Sequence, residues 1–274
     1  MELLIGADPE IFVKKDGHFH SAHGLVPGTK EKPFAVPNGA VQVDGMALEF
    51  NIDPSETEDE FAEYISSVMQ HLNDMTPGYD LSKGATADFT PEHLAEQPEE
   101  ALILGCEPDF NAYTGKENAP PNAAATFRTA AGHIHIGWCK DVDPYHPEHI
   151  AACELLVKEL DLRLALPFAT YDKDNRRREL YGAPGAYRPK SYGVEYRVLS
   201  NAWLDSDELT RWVYRTVCDT FRLLCEGKSE CHRYEVVDMM DQIACGEEDA
   251  GDVVNHANRW ALTNEITLPP NLEE

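Results

Sequence analysis

Gly132-His133-Ile134-His135-Ile136-Gly137 alternates polar and apolar side chains with a period of two, and this alternation sets the architecture expected around it. Successive side chains of a strand point to opposite faces. His133 and His135 therefore share one face, and Ile134 and Ile136 share the other. Gly193-Val194-Glu195-Tyr196-Arg197-Val198 repeats the pattern, with Glu195 and Arg197 together and Val194, Tyr196 and Val198 behind them. Leu48-Glu49-Phe50-Asn51 does the same for Glu49 and Asn51. A fourth polar interruption, Gly6-Ala7-Asp8-Pro9-Glu10, follows the apolar opening Leu3-Leu4-Ile5. If these polar faces converge, one side of a sheet carries Asp8, Glu10, Glu49, Glu195, His133, His135 and Arg197.

Taken singly, each motif has an ordinary explanation. An H-x-H is often a solvated strand face, an E-x-R a surface ion pair, and a D-P-E a turn. Glu49 resists such an explanation, because a carboxylate flanked by apolar residues is rarely buried without a partner. Clustered carboxylates repel one another unless a cation neutralises them, and oxygen donors favour Mg²⁺ or Mn²⁺ over softer metals. A carboxylate-rich metal site beside guanidinium groups suits a bound triphosphate.

The formal charge of −26 opposes general nucleic-acid binding or docking on an anionic membrane. Against that background, residues 173–197 hold seven basic and three acidic side chains, a local charge of +4. The stretch from Arg176 to Lys190, interrupted by Gly182, Pro184, Gly185 and Pro189, reads as an irregular surface loop that could close over an anion. A hydrophobic content of 42% is ample for a packed core. No apolar run approaches the roughly 20 residues of a membrane span, and Met1–Gly6 reads as a strand rather than a secretory signal. Seven cysteines without a C-x-x-C suit reduced thiols, and a cytoplasmic location is expected.

Strand pieces are expected at Leu3–Ile5, Ile11–Val13, His18–Ser21, Val41–Asn51, Leu102–Leu104, His133–Trp138 and Tyr192–Leu199, with Asp16-Gly17 as a hairpin turn. A helix capped by Ser55 with Glu58 runs through Phe61, Ile65, Val68, Leu72 and Met75. Residues 77–99 read as an irregular excursion. A second helix runs from Pro147 to about Leu166, where Pro167 stops it, and a third begins near Asp205 and ends before Gly227. Residues 228–274 read as a helical extension with an acidic tail. The whole is read as one α+β domain over residues 1–274, a curved, mostly antiparallel sheet with helices on one side.

Two long stretches carry a family resemblance. Arg128-Thr129-Ala130-Ala131-Gly132-His133-Ile134-His135-Ile136-Gly137 and the segment from Arg178 to Arg197, with its Gly182-Ala183-Pro184-Gly185-Ala186-Tyr187-Arg188-Pro189-Lys190 core, resemble the phage-type carboxylate–amine ligases. These are relatives of glutamine synthetase and glutamate–cysteine ligase. Gly105-Cys106-Glu107-Pro108-Asp109-Phe110-Asn111-Ala112-Tyr113 also looks like the family's pattern. The resemblance implies a glutamine-synthetase-like catalytic fold and ATP-dependent amide-bond formation with Mg²⁺ or Mn²⁺. It implies metal ligands among Asp8, Glu10, Glu49, His135 and Glu195, with His133 as the alternative histidine. Nucleotide contacts are implied for His133, His135, Arg178, Lys190 and Arg197, and catalytic roles for Glu49, Arg188 and Arg197. Upstream arginines, namely Arg128, Arg176 and Arg177, are open to phosphate or carboxylate contacts. Asp44, Glu107 and Asp109 are candidates to accept the amine's proton.

The implied partners are a small-molecule or peptide carboxylate and an amine, in a host cytoplasm if the chain is phage-encoded, and a homo-oligomer is compatible with this. No G-x-x-x-x-G-K-[ST] and no helix-opening G-x-G-x-x-G occurs, so ATP would be held another way. The rival enzyme is a metal-dependent hydrolase using His133 and His135, and the rival from another class is a non-catalytic binding protein on a degenerate ligase scaffold. As metal ligands, Glu49 and Glu195 are both expected to tolerate conversion to Gln without loss of fold stability.

Overall fold

A computed structural model describes residues 2–102, 109–119, 127–233, 236–245 and 268–270. The strands in chain order are β1 (Leu4–Ala7), β2 (Glu10–Lys15), β3 (His18–His20), β4 (Phe34–Val36), β5 (Gly39–Asp44) and β6 (Ala47–Ile52), followed by β7 (Asp80–Ser82) and β8 (Thr86–Asp88). Then come β9 (Phe110–Asn111), β10 (Lys116–Glu117), β11 (Phe127–Thr129), β12 (Ile134–Gly137), β13 (Ala186–Lys190) and β14 (Gly193–Tyr196). The helices are α1 (Glu58–Met75), α2 (Pro91–Ala95), α3 (Glu99–Leu102), α4 (Pro147–Leu160), α5 (Leu166–Tyr171), α6 (Asp207–Cys225) and α7 (Val236–Cys245).

Every ladder between these strands is antiparallel, as an α+β reading requires. The strands fall into two large sheets and a separate β8–β11 pair rather than one sheet. The first runs β1-β12-β14-β13-β9-β10, and the second runs β3-β2-β6-β5-β4 with β7 beside β2. The division lies at Asp8-Pro9. Asp8 N–H donates to His133 O at 3.3 Å and Glu10 N–H to Ala131 O at 2.8 Å, while the Pro9 carbonyl, between them, accepts from Phe50 N–H at 3.1 Å. The chain thus pairs with β6 while still bonded to the residues just before β12, which sets the polar faces of both sheets side by side.

Helices cover the opposite, apolar faces. α1 packs on β5 and β6, α4 on β13 and β14, and α6 on both α1 and α4. Ile134, Ile136, Val194 and Tyr196 are buried there with Trp203 and Trp212. Fully burying an aliphatic side chain contributes about 1.5–3 kcal/mol, so this apolar half dominates the stability that holds the polar half in place. Among the described residues no helix is long and apolar enough to cross a membrane.

Several local expectations are corrected. The cap of α1 is Thr57, whose Oγ1 accepts from Glu60 N–H at 3.2 Å while Glu60 returns a bond to Glu56 N–H. Ser55 is buried and donates to Ile5 O at 2.7 Å, pinning β1. Val41–Asn51 is a hairpin, not one strand, because Gly45 takes φ 56 and turns the chain between β5 and β6. The supposed excursion at 77–99 supplies β7, β8 and α2. Leu102 ends a helix, and the rest of the strand expected there lies outside the described residues. Pro167 does not stop the second helix: residues Asp161–Ala165 form a π-turn, and α5 continues to Tyr171. Such a turn already shifts the hydrogen-bond register, so the missing proline N–H is absorbed.

The segment from Arg176 to Lys190 is not an irregular loop. It comprises a 3₁₀ turn at Asn175–Glu179, a bend with Gly182 and Gly185 at positive φ, and then β13. Pro189 fits in a strand because β9 pairs with β13 only at Ala186 and Tyr187, leaving that edge open beyond. The expected extension at 228–274 contains α7, and most of its tail lies outside the described residues.

Candidate active site

Strand register builds the site. Across β1, β12, β14 and β13, Gly6, His135, Glu195 and Arg188 stand opposite one another. Two residues along each strand, Asp8, His133 and Arg197 form the next row on the same face. His135 Nε2 lies 3.0 Å from Asp8 Oδ1, and His133 Nδ1 lies 3.5 Å from the same oxygen and 3.6 Å from Glu195 Oε1. One donor atom from each of Asp8, His133 and Glu195 falls within 4.8 Å of the others.

Glu195 is only 1% exposed and is wrapped in cations. Lys190 Nζ is 2.7 Å and Arg188 Nη1 3.2 Å from its Oε2, and Arg197 Nη1 meets its Oε1. Burial and the nearby Asp8 carboxylate push the Glu195 carboxyl up, yet Arg197, His133 and His135 outweigh them and hold it at about 2. Burial also opposes ionisation of Asp8, but His135 and His133 hold it well below the usual carboxylate range.

The two histidines differ. Burial, then the Arg197 guanidinium, lowers His133 to about 4, so its imidazole is neutral at pH 7 and able to ligate a metal. Burial would lower His135 too, but Asp8 more than offsets it and raises that imidazole above its ordinary value. The geometry therefore favours His133, whose ring nitrogen falls within the donor set with Asp8 and Glu195, over the expected His135.

The second sheet brings another acidic group. Glu10 stands opposite Glu49 across β2 and β6, and Gln42 stands opposite Glu49 across β5 and β6. Ala131 N–H donates to Glu10 Oε2 at 2.8 Å, and Gln42 Nε2 donates to Glu49 Oε2 at 2.8 Å. Burial, then Asp44, pushes the Glu10 carboxyl up to about 7. Burial with Asp8, Asp44 and Glu10 raises Glu49 well above its ordinary value. The five expected metal ligands therefore separate into Asp8 and Glu195 with a histidine, and a Glu10–Glu49 pair beside them. The donor sets, carboxylate oxygens with one imidazole nitrogen, fit a hard divalent cation.

Two cavities flank these rows. A small one of about 70 Å³ is lined by Glu10, Asp44, Arg128, His133, Tyr181 and Arg197. It has room for a functional group rather than a whole ligand. The other, of about 760 Å³, is lined by Leu4, Ile52, Trp138, Tyr192 and His135 and is of the size that small-molecule sites occupy.

The remaining expected residues scatter. Asp44 lines the small cavity and pairs with Lys30 at 2.7 Å, whereas Asp109 pairs with Arg197 Nε at 3.0 Å. Glu107 lies outside the described residues. Arg176 pairs with Asp88 on the surface. Arg178 is half-buried, near enough to Tyr196 to act on its phenol. Arg177 is buried behind the site and donates to Val198 O at 2.8 Å and Arg197 O at 3.4 Å, bracing β14 from below.

Sequence reasoning missed Gln42 and Asp161. Asp161 Oδ1 accepts from Tyr196 O–H and its Oδ2 from Gly185 N–H, both at 2.6 Å, so it anchors β14 and the bend before β13. Charged and apolar residues alternate through Glu159-Leu160-Asp161-Leu162-Arg163, so nothing in the sequence sets Asp161 apart.

No curated protein matches the chain. The N-terminal acids Asp8, Glu10 and Glu49 lie outside the stretch matched by a family model, and the fold joins them to it. Residues 125–249, which carry His133, His135, Arg188, Lys190, Glu195 and Arg197, match the family model described as phage phiEco32-like COOH·NH2 ligase-type 2, and that stretch is thereby assigned to the ligase family its motifs resemble.

Proposed function

We propose that this chain is an ATP- and Mg²⁺ (or Mn²⁺)-dependent carboxylate–amine ligase on a glutamine-synthetase-like scaffold. The observation that carries this reading is the convergence of Asp8, His133 and Glu195 with Arg188, Lys190 and Arg197 on one polar face, largely within the stretch assigned to a ligase family. Asp8, His133 and Glu195 would hold one divalent cation, and Glu10 with Glu49 a second. Bound there, the cations would neutralise phosphate charge as it shifts.

The protein's own groups would position the reactants. Arg188, Lys190 and Arg197, with Arg178 from the neighbouring turn, suit phosphate oxygens, and Trp138 and Tyr192 suit the flat face of a base in the larger cavity. Arg128 and Arg197 line the smaller cavity and suit a substrate carboxylate. A carboxylate oxygen attacks the γ-phosphorus and ADP leaves. The amine nitrogen then attacks the acyl carbon, phosphate leaves, and Asp44 accepts the amine's proton. Holding the reactants together supplies much of the rate.

An ADP-release screen of carboxylate–amine pairs in Mg²⁺, with mass spectrometry of the product, tests the reading. Amide formation matched by ADP supports it. Cleavage of a substrate without nucleotide would replace it with the hydrolase alternative.

A further inference from the structure

The Glu195 carboxylate is shared by partners of unequal depth. Arg197 and His133, on Oε1, are buried, with side chains 5% and 10% exposed. Arg188 is 14% exposed, and Lys190, closest to Oε2 at 2.7 Å, is 27% exposed. Lys190 ends β13, where its register partner is Gly193, and Gly193 in turn stands opposite Gly137 of β12. Two successive strands thus place no side chain in the row beside His135 and Glu195. The rings of Tyr192 and Trp138 lie against these glycines, at the edge of the cavity of about 760 Å³ that Gly137 helps to line. A lysine is a compact charge on a flexible stem, unlike the planar guanidinium of Arg188 directly across from Glu195.

A divalent cation bound by Asp8, His133 and Glu195 would compete for an oxygen already paired and would sit among three side-chain cations. Like charges crowded in a buried site weaken one another's binding. We propose that Lys190 is an exchangeable counter-ion: it neutralises Glu195 when no metal is bound, is displaced from that carboxylate by a divalent cation, and turns to a phosphate oxygen. The inference rests on the proposed metal site, and it makes binding of the cation alone weak by construction. Binding of cation and polyphosphate is then linked through one side chain.

The test is a titration of the full chain with Mn²⁺, without nucleotide, followed by electron paramagnetic resonance. Lys190→Met is expected to bind Mn²⁺ about fivefold or more tightly than the wild type, a change in the range of one partly exposed ion pair. Lys190→Arg, which keeps the charge, is expected to bind no more tightly than the wild type. Should Lys190→Met fail to fold without metal, Lys190→Gln, which retains a donor toward Glu195, carries the same comparison. Unchanged or weaker binding by the uncharged variants, with wild-type binding intact, overturns the exchange and leaves the metal site standing. Absence of Mn²⁺ binding by every form overturns both.

Discussion

The two acidic groups of the polar face solve the same electrostatic problem in opposite ways. Glu195 is buried among Arg188, Lys190 and Arg197 and stays ionised at a value of about 2. Glu10 and Glu49 face each other with an amide N–H and Gln42 as donors, and both are pushed up, Glu10 to about 7. The first group is neutralised by the protein itself. The second is left to be neutralised by protons or by a cation from solution. Carboxylates that look alike in sequence therefore differ in what their removal does.

The sharpest break of this comparison is a pair of variants. Glu195→Gln leaves Arg188, Lys190 and Arg197 around a neutral amide, and removing one partner of such a buried cluster costs about 3–5 kcal/mol. Glu49→Gln relieves repulsion and is expected to leave thermal stability unchanged or raised. This corrects the expectation that both substitutions are structurally silent. Both are expected to abolish turnover, so denaturant unfolding is the measurement that separates them.

A second effect concerns pH. The Glu10 carboxyl stands at about 7 in the fold against 4.5 for the free group, so the native state holds a proton that the unfolded chain releases. Its contribution to stability is present below 4.5 and is lost as pH rises toward 7. A pKa unit is worth about 1.4 kcal/mol, and for a half-buried side chain the loss is taken as about 2 kcal/mol. Urea unfolding of metal-free protein at pH 5 and pH 8 should show this decline. Glu10→Gln should reduce it, leaving the share that belongs to Glu49, and Mg²⁺ should offset it at pH 8.

A smaller effect belongs to Gln42. Gln42→Ala removes the amide donor at 2.8 Å from Glu49 and is expected to cost about 1 kcal/mol at pH 8. At pH 5, where the raised Glu49 carboxyl holds its proton more fully than at pH 8, the cost should shrink. An equal loss at both values would mean that Glu49 is not the raised acid described above.

Much of this site was legible because strands enforce a period of two. That His133 and His135 share a face, as do Glu195 and Arg197, follows from alternation; the meeting of both histidines on Asp8 comes from the strand pairing. What escaped were features whose signals point two ways. Asp44-Gly45 drew attention as chemistry, yet Gly45 is the turn that brings Gln42 opposite Glu49. Gly182, Pro184, Gly185 and Pro189 suggested a mobile loop, yet the strand they lead into is held from one side only, so a proline is tolerated there. The choice between His133 and His135 could not be made from spacing, since both lie on one face. It depends on the distance of each ring from Arg197 and Asp8.

That choice also offers the most direct test of a divalent cation held by Asp8, His133 and Glu195. Pulsed electron paramagnetic resonance of Mn²⁺-loaded protein detects coupling to a ligating imidazole nitrogen. The coupling is expected in the wild type, retained in His135→Gln and lost in His133→Gln. Loss of the signal in His135→Gln with retention in His133→Gln would contradict the site.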